Sequence, residues 1–312
     1  MKYIEDFEDG EIIIGHYLCR QKTLMKSKSG KSYLSLVLAD KTGQIDGKVW
    51  ELTNAIAPFE SGDFIKVDGT VLIYNSDYQL KITRIRKSEE GEYTPADYVK
   101  STDKDTELLY SQLCEFIDTI ENPFVKALLE NIFLSDEISA PLKTGTAARA
   151  LHHGYLGGLI EHTLSVVQIC DMMHGRYKYV NRDILIASAM LHDIGKIWEL
   201  SPMPENEYTD AGQLLGHIVM GCELISREAA KIPNFPEKLV LMLKHCILAH
   251  HGEFEYGSPK LPHIIEAFIL HLCDNFDAKV KAFEEYLEAG REDAIWLGFS
   301  KMLNRNVRKT DI

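Results

Sequence analysis

The 312-residue chain has no Cys-x-x-Cys pair; its six cysteines stand singly at 19, 114, 170, 222, 246 and 273. That scatter excludes a thiolate zinc knot and argues against a disulfide framework, so a reducing compartment is expected. Glycine and proline are sparse, at 21 and 10 residues, which excludes collagen-like and low-complexity chains. No apolar run approaches the ~18 residues of a membrane-spanning helix. The N-terminal stretch carries Glu5, Asp6, Glu8 and Asp9 where a secretory leader would be basic and then apolar. A cytoplasmic protein with no membrane partner is expected. What is present, 45% hydrophobic and 26% charged residues, suits a soluble folded chain, and the length suits two domains.

Basic charge is also scarce. Lys and Arg number 34 against 47 Asp and Glu, a net charge of −13, which taken alone argues against a nucleic-acid partner. The deficit is uneven. From Ile12 to Trp50, Arg20, Lys22, Lys26, Lys28, Lys31, Lys41 and Lys48 face only Asp40 and Asp46, enough to hold a phosphate backbone. The same region alternates apolar and polar residues in five runs: Ile12–Ile14, Tyr33–Leu38, Ile45–Trp50, Phe64–Tyr74 and Tyr78–Ile85. Turn residues such as Lys41-Thr42-Gly43 and Ser61-Gly62-Asp63 separate them, and a short helical piece is expected from Asn54 to Phe59. Five strands with that insertion resemble an all-β OB-fold barrel, occupying residues 1–88.

Period two then turns Leu34, Leu36, Leu38, Ile45, Val49, Leu80 and Ile82 inward. Tyr33, Ser35, Lys48, Trp50, Gln79, Lys81 and Thr83 turn outward. Aromatic rings among lysines on an open sheet suit a single-stranded nucleic acid, because rings stack on bases and ammonium groups neutralise phosphates. Tyr33, Lys48, Trp50 and Lys81 are the candidate strand contacts.

The acidic residues after Ser88, with Gly91 and Pro95 among them, read as a linker over 89–105. Beyond it the alternation gives way to helical periodicity, and an all-α bundle is expected over 106–312. Its last helix is expected from Asp293 to Leu303, followed by a basic, frayed tail from Asn304 to Lys309. Every histidine but His16 lies between 152 and 271. Ile184 to Leu191 is apolar nearly all round, hence buried, and runs directly into His192-Asp193. A buried ionisable pair is destabilising unless each member is partnered or binds a metal. Other helical stretches supply His162, His217, His250, His251 and Asp274. Imidazoles and carboxylates on separate helices are a recurrent way to build a metal site in a bundle core.

The ordered series His162, His192-Asp193 and Asp274 resembles the HD superfamily of metal-dependent phosphohydrolases over residues 145–290. The resemblance implies that these four residues bind one divalent ion. It also implies that His217, His250 and His251 complete a second ion, with Asp193 as the bridge. With the barrel in front, nearly the whole chain resembles the YhaM-type 3'-5' exoribonucleases. The stretches that carry this are His152-His153-Gly154-Tyr155-Leu156-Gly157-Gly158-Leu159-Ile160-Glu161-His162-Thr163-Leu164 and Leu191-His192-Asp193-Ile194-Gly195-Lys196. Hydrolysis of single-stranded RNA from its 3' end to nucleoside 5'-monophosphates is implied, with single-stranded DNA as a second strand that stacking would accept. Asp193 and Lys196 enter as catalytic residues, the lysine opposite the substrate phosphate. His152 and His153 are candidate substrate contacts. The cofactors implied are two divalent transition-metal ions drawn from manganese, cobalt, iron, nickel and zinc.

The alternative within the same superfamily is a nucleotide or cyclic-nucleotide phosphohydrolase whose barrel serves regulation or oligomerisation. The cyclic-dinucleotide branch, marked by a Gly-Tyr-Pro signature, fits less well, since the corresponding region reads Tyr256-Gly257-Ser258-Pro259.

Overall fold

The computed structural model describes all residues except 1, 28–29, 54, 75–76, 95–96, 100, 149–154, 204–205, 291–293, 301–302 and 311–312. The chain divides into two compact units, residues 1–100 and 101–312.

The first unit is a closed five-stranded barrel in the order β1-β2-β3-β5-β4. Its strands are β1 (Ile12–Lys26), β2 (Ser32–Ala39), β3 (Gln44–Val49), β4 (Phe64–Tyr74) and β5 (Asp77–Lys87). The long β1 closes the barrel by pairing β4 through Ile12–Leu18 and β2 through Leu18–Lys26, with an irregularity between Cys19 and Gln21 where it changes partner. Alternation sorts the faces as the residue pattern predicts: Leu36, Leu38, Val49 and Leu80 are fully buried, while Trp50 and Lys81 are exposed.

One expectation about this unit is corrected. Residues 55–59 form no helix, because Ala57 N donates to Ile85 O and Ile85 N donates to Ala55 O, drawing the segment onto β5. Most of the stretch read as a linker belongs to the barrel unit as far as residue 100. Tyr98 is buried and Tyr93 stacks on Phe64, so aromatic packing fastens this acidic segment.

The second unit is helical around one apolar core. Its helices are α1 (Thr106–Asp118), α2 (Pro123–Phe133), α3 (Asp136–Thr144), α4 (Gly158–His174) and α5 (Arg182–Leu191). They continue with α6 (Lys196–Glu199), α7 (Asp210–Leu214), α8 (Gly216–Ala229), α9 (Glu237–Ala249) and α10 (Ile265–Glu288). Sequence marks several starts: Asp105, Asn122 and Asn181 accept backbone N–H groups as N-caps of α1, α2 and α5. Residues of α5 from Ile184 to Leu191 are all buried, as their composition predicts. Helices α4, α5, α9 and α10 pack together around the candidate metal-binding residues.

Of the helix expected over 293–303, Asp293, Lys301 and Met302 lie outside the described residues, and Trp296–Ser300 instead forms β6, paired antiparallel with β7 (Arg305–Arg308). Gly298 at φ +88° and Asn304 at φ +51° adopt a backbone that a right-handed helix cannot use. The tail read as frayed is therefore strand β7, anchored by the fully buried Val307. Among the described residues no helix is long and apolar enough to cross a membrane.

Candidate metal centre

The centre is built where two helices stop. Helix α5 ends at Leu191 and α9 at Ala249, and each is followed at once by a histidine. A helix end leaves carbonyls without intrahelical partners. His192 Nδ1 donates to Ala189 O at 2.8 Å, and His250 Nδ1 donates to Ile247 O at 2.7 Å. Binding through Nδ1 fixes each ring and leaves Nε2 as the acceptor. Both helices also present their negative C-terminal ends to the same spot, which favours a cation there.

Asp193 sits between two groups of donors. Its Oδ2 lies 3.5 Å from His162 Nε2 and 3.5 Å from His192 Nε2. Its Oδ1 lies 3.5 Å from His217 Nε2 and 3.7 Å from His250 Nε2. Asp274 Oδ1 joins the first group, 3.2 Å from His162 Nε2 and 3.9 Å from His192 Nε2. His251 joins the second, its ring centroid 4.3 Å from that of His250 and 5.4 Å from that of His217. Donors 3 to 4 Å apart can converge on one ion at the ~2.0–2.2 Å bond lengths of nitrogen and oxygen ligands. His162, His192 and Asp193 form one cluster able to hold a metal ion, and His217, His250 and His251 form another.

Three buried polar atoms test that fit. Asp193 Oδ1, His217 Nε2 and His251 Nδ1 have no hydrogen-bond partner among the described residues. Leaving such groups unsatisfied costs about 1–3 kcal/mol each. A cation coordinated by this mixed imidazole and carboxylate set would satisfy them, so the residues fit divalent metal.

The electrostatics agree. Burial pushes the His192 imidazole down to about 4, and burial, with His250 and His217 adding to it, does the same to His251. Both are neutral at pH 7, the form that ligates. Burial opposes the charge on Asp193, but Lys196 and the surrounding histidines outweigh it and hold the carboxyl well below its usual range. Burial would also lower His162, yet its bonds to Asp274 and Asp277 prevail and raise it to about 10. The Lys196 ammonium, 2.7 Å from Asp193 Oδ2, helps balance the carboxylates, and a metal held by His162 would take the place of that imidazole's proton.

Two residues that sequence reasoning missed hold two of the candidate ligands in place. Asp277 Oδ2 lies 2.7 Å from His162 Nδ1, and Ser165 Oγ donates to Asp277 Oδ1. Glu199 Oε1 lies 3.0 Å from His217 Nδ1 and also accepts from His217 N at 3.0 Å. Asp277 had a signal, since it follows Asp274 by three residues on α10 and so shares its face. Glu199 had none beyond closing the short α6. Gly195 lets this corner close: a Cβ there would meet His217 O at 2.1 Å.

Glu161, which precedes His162 in the chain, points elsewhere. It accepts from Thr102 Oγ1 at 2.6 Å and Tyr155 OH at 3.0 Å, and pairs with Lys104 at 2.9 Å. His152 and His153 lie outside the described residues.

On the barrel, the four candidate strand contacts share the outer face of β2, β3 and β5. Tyr33 and Trp50 stack with centroids 4.5 Å apart and planes at 25°. Lys48 donates to Ser35 Oγ at 2.6 Å and pairs in register with Lys81 across the parallel β3–β5 ladder.

A family model for the HD domain matches residues 159–279, and one for an OB-fold nucleic acid binding domain matches residues 20–87. Three curated relatives carry the name 3'-5' exoribonuclease YhaM. The protein of Geobacillus sp. (strain WCH70) is 34% identical over 289 residues, 92% of this chain and 88% of the relative. That of Shouchella clausii is 34% identical over 291 residues, 92% of this chain and 90% of the relative. That of Oceanobacillus iheyensis is 37% identical over 289 residues, 89% of this chain and 88% of the relative.

Proposed function

Because the chain belongs to the YhaM family of 3'-5' exoribonucleases, we propose that it shortens single-stranded RNA from the 3' end by metal-dependent hydrolysis, releasing nucleoside 5'-monophosphates. The observation that carries this reading is the Asp193 carboxylate, whose two oxygens face two separate sets of imidazoles. His162, His192, Asp193 and Asp274 would hold one divalent transition-metal ion. Asp193, His217, His250 and His251 would hold the second. Bound there, such ions supply Lewis acidity and lower the pKa of a water so that it can attack phosphorus in line.

The protein's own groups do the rest. Asp277 and Glu199 keep the Nδ1 sides of His162 and His217 occupied, so that Nε2 stays directed at the centre. Lys196, 2.7 Å from Asp193 Oδ2 at the edge of the centre, would be the ammonium that stabilises the charge gathering on the reacting phosphate. Tyr33, Lys48, Trp50 and Lys81 hold the strand on the barrel by stacking and phosphate neutralisation. Single-stranded DNA, which offers the same π-faces, is a second substrate to assay.

The test is digestion of 5'-labelled RNA in a panel of manganese, cobalt, iron, nickel and zinc. A ladder receding from the 3' end with mononucleotide release is expected, together with a loss of at least a thousandfold in Asp193→Ala. Internal cuts, or inertness towards RNA alongside hydrolysis of nucleoside triphosphates or cyclic nucleotides, would instead mark a nucleotide phosphohydrolase.

A further inference from the structure

A second concavity lies in the barrel unit, away from the Tyr33–Trp50 stack. Its volume is about 630 Å³, and it is lined by Gln44, Asp46 and Lys48 from β3, Tyr74 from β4, and Tyr78 and Gln79 from β5, among others. That size is within the ~300–1,000 Å³ of small-ligand clefts. Strand register makes it. The parallel pairing of β3 with β5 is confined to Asp46–Lys48 and Gln79–Lys81, while β4 and β5 pair out to Tyr74 and Asp77. The β4–β5 ribbon therefore continues two residues beyond its last pairing with β3, and the cleft lies where β3 and β5 part.

The chemistry of the lining selects its guest. Ile4 supplies apolar surface, and the rings of Tyr74 and Tyr78, 63% and 47% exposed, supply flat faces. Against those stand two carboxylates, Asp46 and Asp77, and two amides, Gln44 and Gln79. Among the described lining residues the one cation is Lys48, already 2.6 Å from Ser35 Oγ and 3.4 Å from Asp46. A phosphate would meet net negative charge. A planar, uncharged group with hydrogen-bond donors on its edge meets stacking faces and acceptors together.

We infer that this cleft is a nucleobase subsite that favours bases bearing an exocyclic amine, cytosine and the amino-purines, over uracil. The inference rests on the reading that the barrel carries the RNA strand, and it adds base preference to it. Continuity supports it: Lys48 lines the cleft and lies on the same outer face as the Tyr33–Trp50 stack, whose Trp50 follows Asp46 by four residues, about 13 Å at ~3.3 Å per residue. One strand crossing β3 passes the cleft, Lys48 and the stack in turn. Uracil presents a carbonyl where cytosine presents an amine, and a carbonyl facing Asp46 or Asp77 sets acceptor against acceptor.

The test uses the full chain carrying Asp193→Ala, so that the strand is bound without being shortened. Fluorescence anisotropy with 12-mers of cytidine and of uridine is expected to show about tenfold tighter binding of the cytidine strand, the value of one good edge contact. Adding Asp46→Ala with Asp77→Ala should bring the two affinities within twofold, while Tyr78→Ala weakens both. Equal affinities in the Asp193→Ala chain overturn the inference without any cleft variant, as does a preference that survives loss of both carboxylates. Tyr33→Ala with Trp50→Ala separates this from the underlying reading. If that pair leaves both affinities untouched, the barrel as strand holder falls; if both drop while cytidine and uridine strands bind alike, only the base cleft falls.

Discussion

Glu199 and Asp277 show how little of a metal centre a ligand list contains. Each contacts the Nδ1 of one ligand imidazole, Glu199 that of His217 and Asp277 that of His162. Removing that charge while keeping the shape should free the ring and weaken the ion on that side alone. Glu199→Gln is expected to lower metal affinity by about 10- to 100-fold in the His217, His250 and His251 group, with Asp277→Asn doing the same on the His162 side. Titration of the metal-stripped chain with cobalt, followed by absorbance, would report both as a split into one strong and one weakened site. Two sites of unaltered strength in either variant would deny the residue its positioning role. The ligands themselves were legible because charged groups stood at the end of a run that had to be buried, as at His192-Asp193. Glu199 sits after Ile197 and Trp198 in an ordinary-looking helical turn, and only the fold brings it to the start of α8.

At the scale of elements, strand β1 ties the barrel together, and it contains a titratable seam. His16 pairs with Lys66 across β1–β4, and its Nδ1 lies 2.8 Å from Ser88 Oγ. Burial lowers its pKa, with Lys66 and Arg86 adding to the effect and Glu92 opposing it. A histidine depressed in the folded state binds more proton when unfolded, so its contribution is complete above the unfolded value near 6.5 and is lost as pH falls below it. Denaturant midpoints taken from pH 8 to pH 5 should therefore decline, and the His16→Gln chain should decline less. Parallel curves would remove His16 from the account. Strands were legible here because alternation between inside and outside repeats with period two. The exceptions have physical causes of the same scale: residues 55–59 are captured by backbone bonds from β5, and 296–308 are folded into a hairpin around Gly298 and Asn304. Neither competition is visible in the periodicity of the segment itself.

For the whole molecule, the net charge of −13 is a poor guide, because attraction to a strand is decided by the few cations it touches. If RNA lies across β3 and β5, log affinity should fall linearly with log salt, and each lost phosphate contact should flatten that slope by about 0.7. Lys48→Gln and Lys81→Gln are expected to do so singly and additively, measured by anisotropy between 50 and 300 mM salt. A slope that neither change moves would place the strand elsewhere. The division into a strand-type and a helix-type unit was legible from the change of period, whereas its boundary was blurred by an acidic segment that reads as linker and packs by its tyrosines.

The ligands of the metal centre are spread from α4 to α10, whereas the barrel is complete by residue 100. A ribosome makes the chain from its N-terminus, and domains fold largely as they emerge. Asp274 is the last ligand to be synthesised, so a nascent or prematurely terminated product would possess a finished grip and an unfinished blade. Order of manufacture alone then keeps a degradative activity silent until translation has passed Asp274.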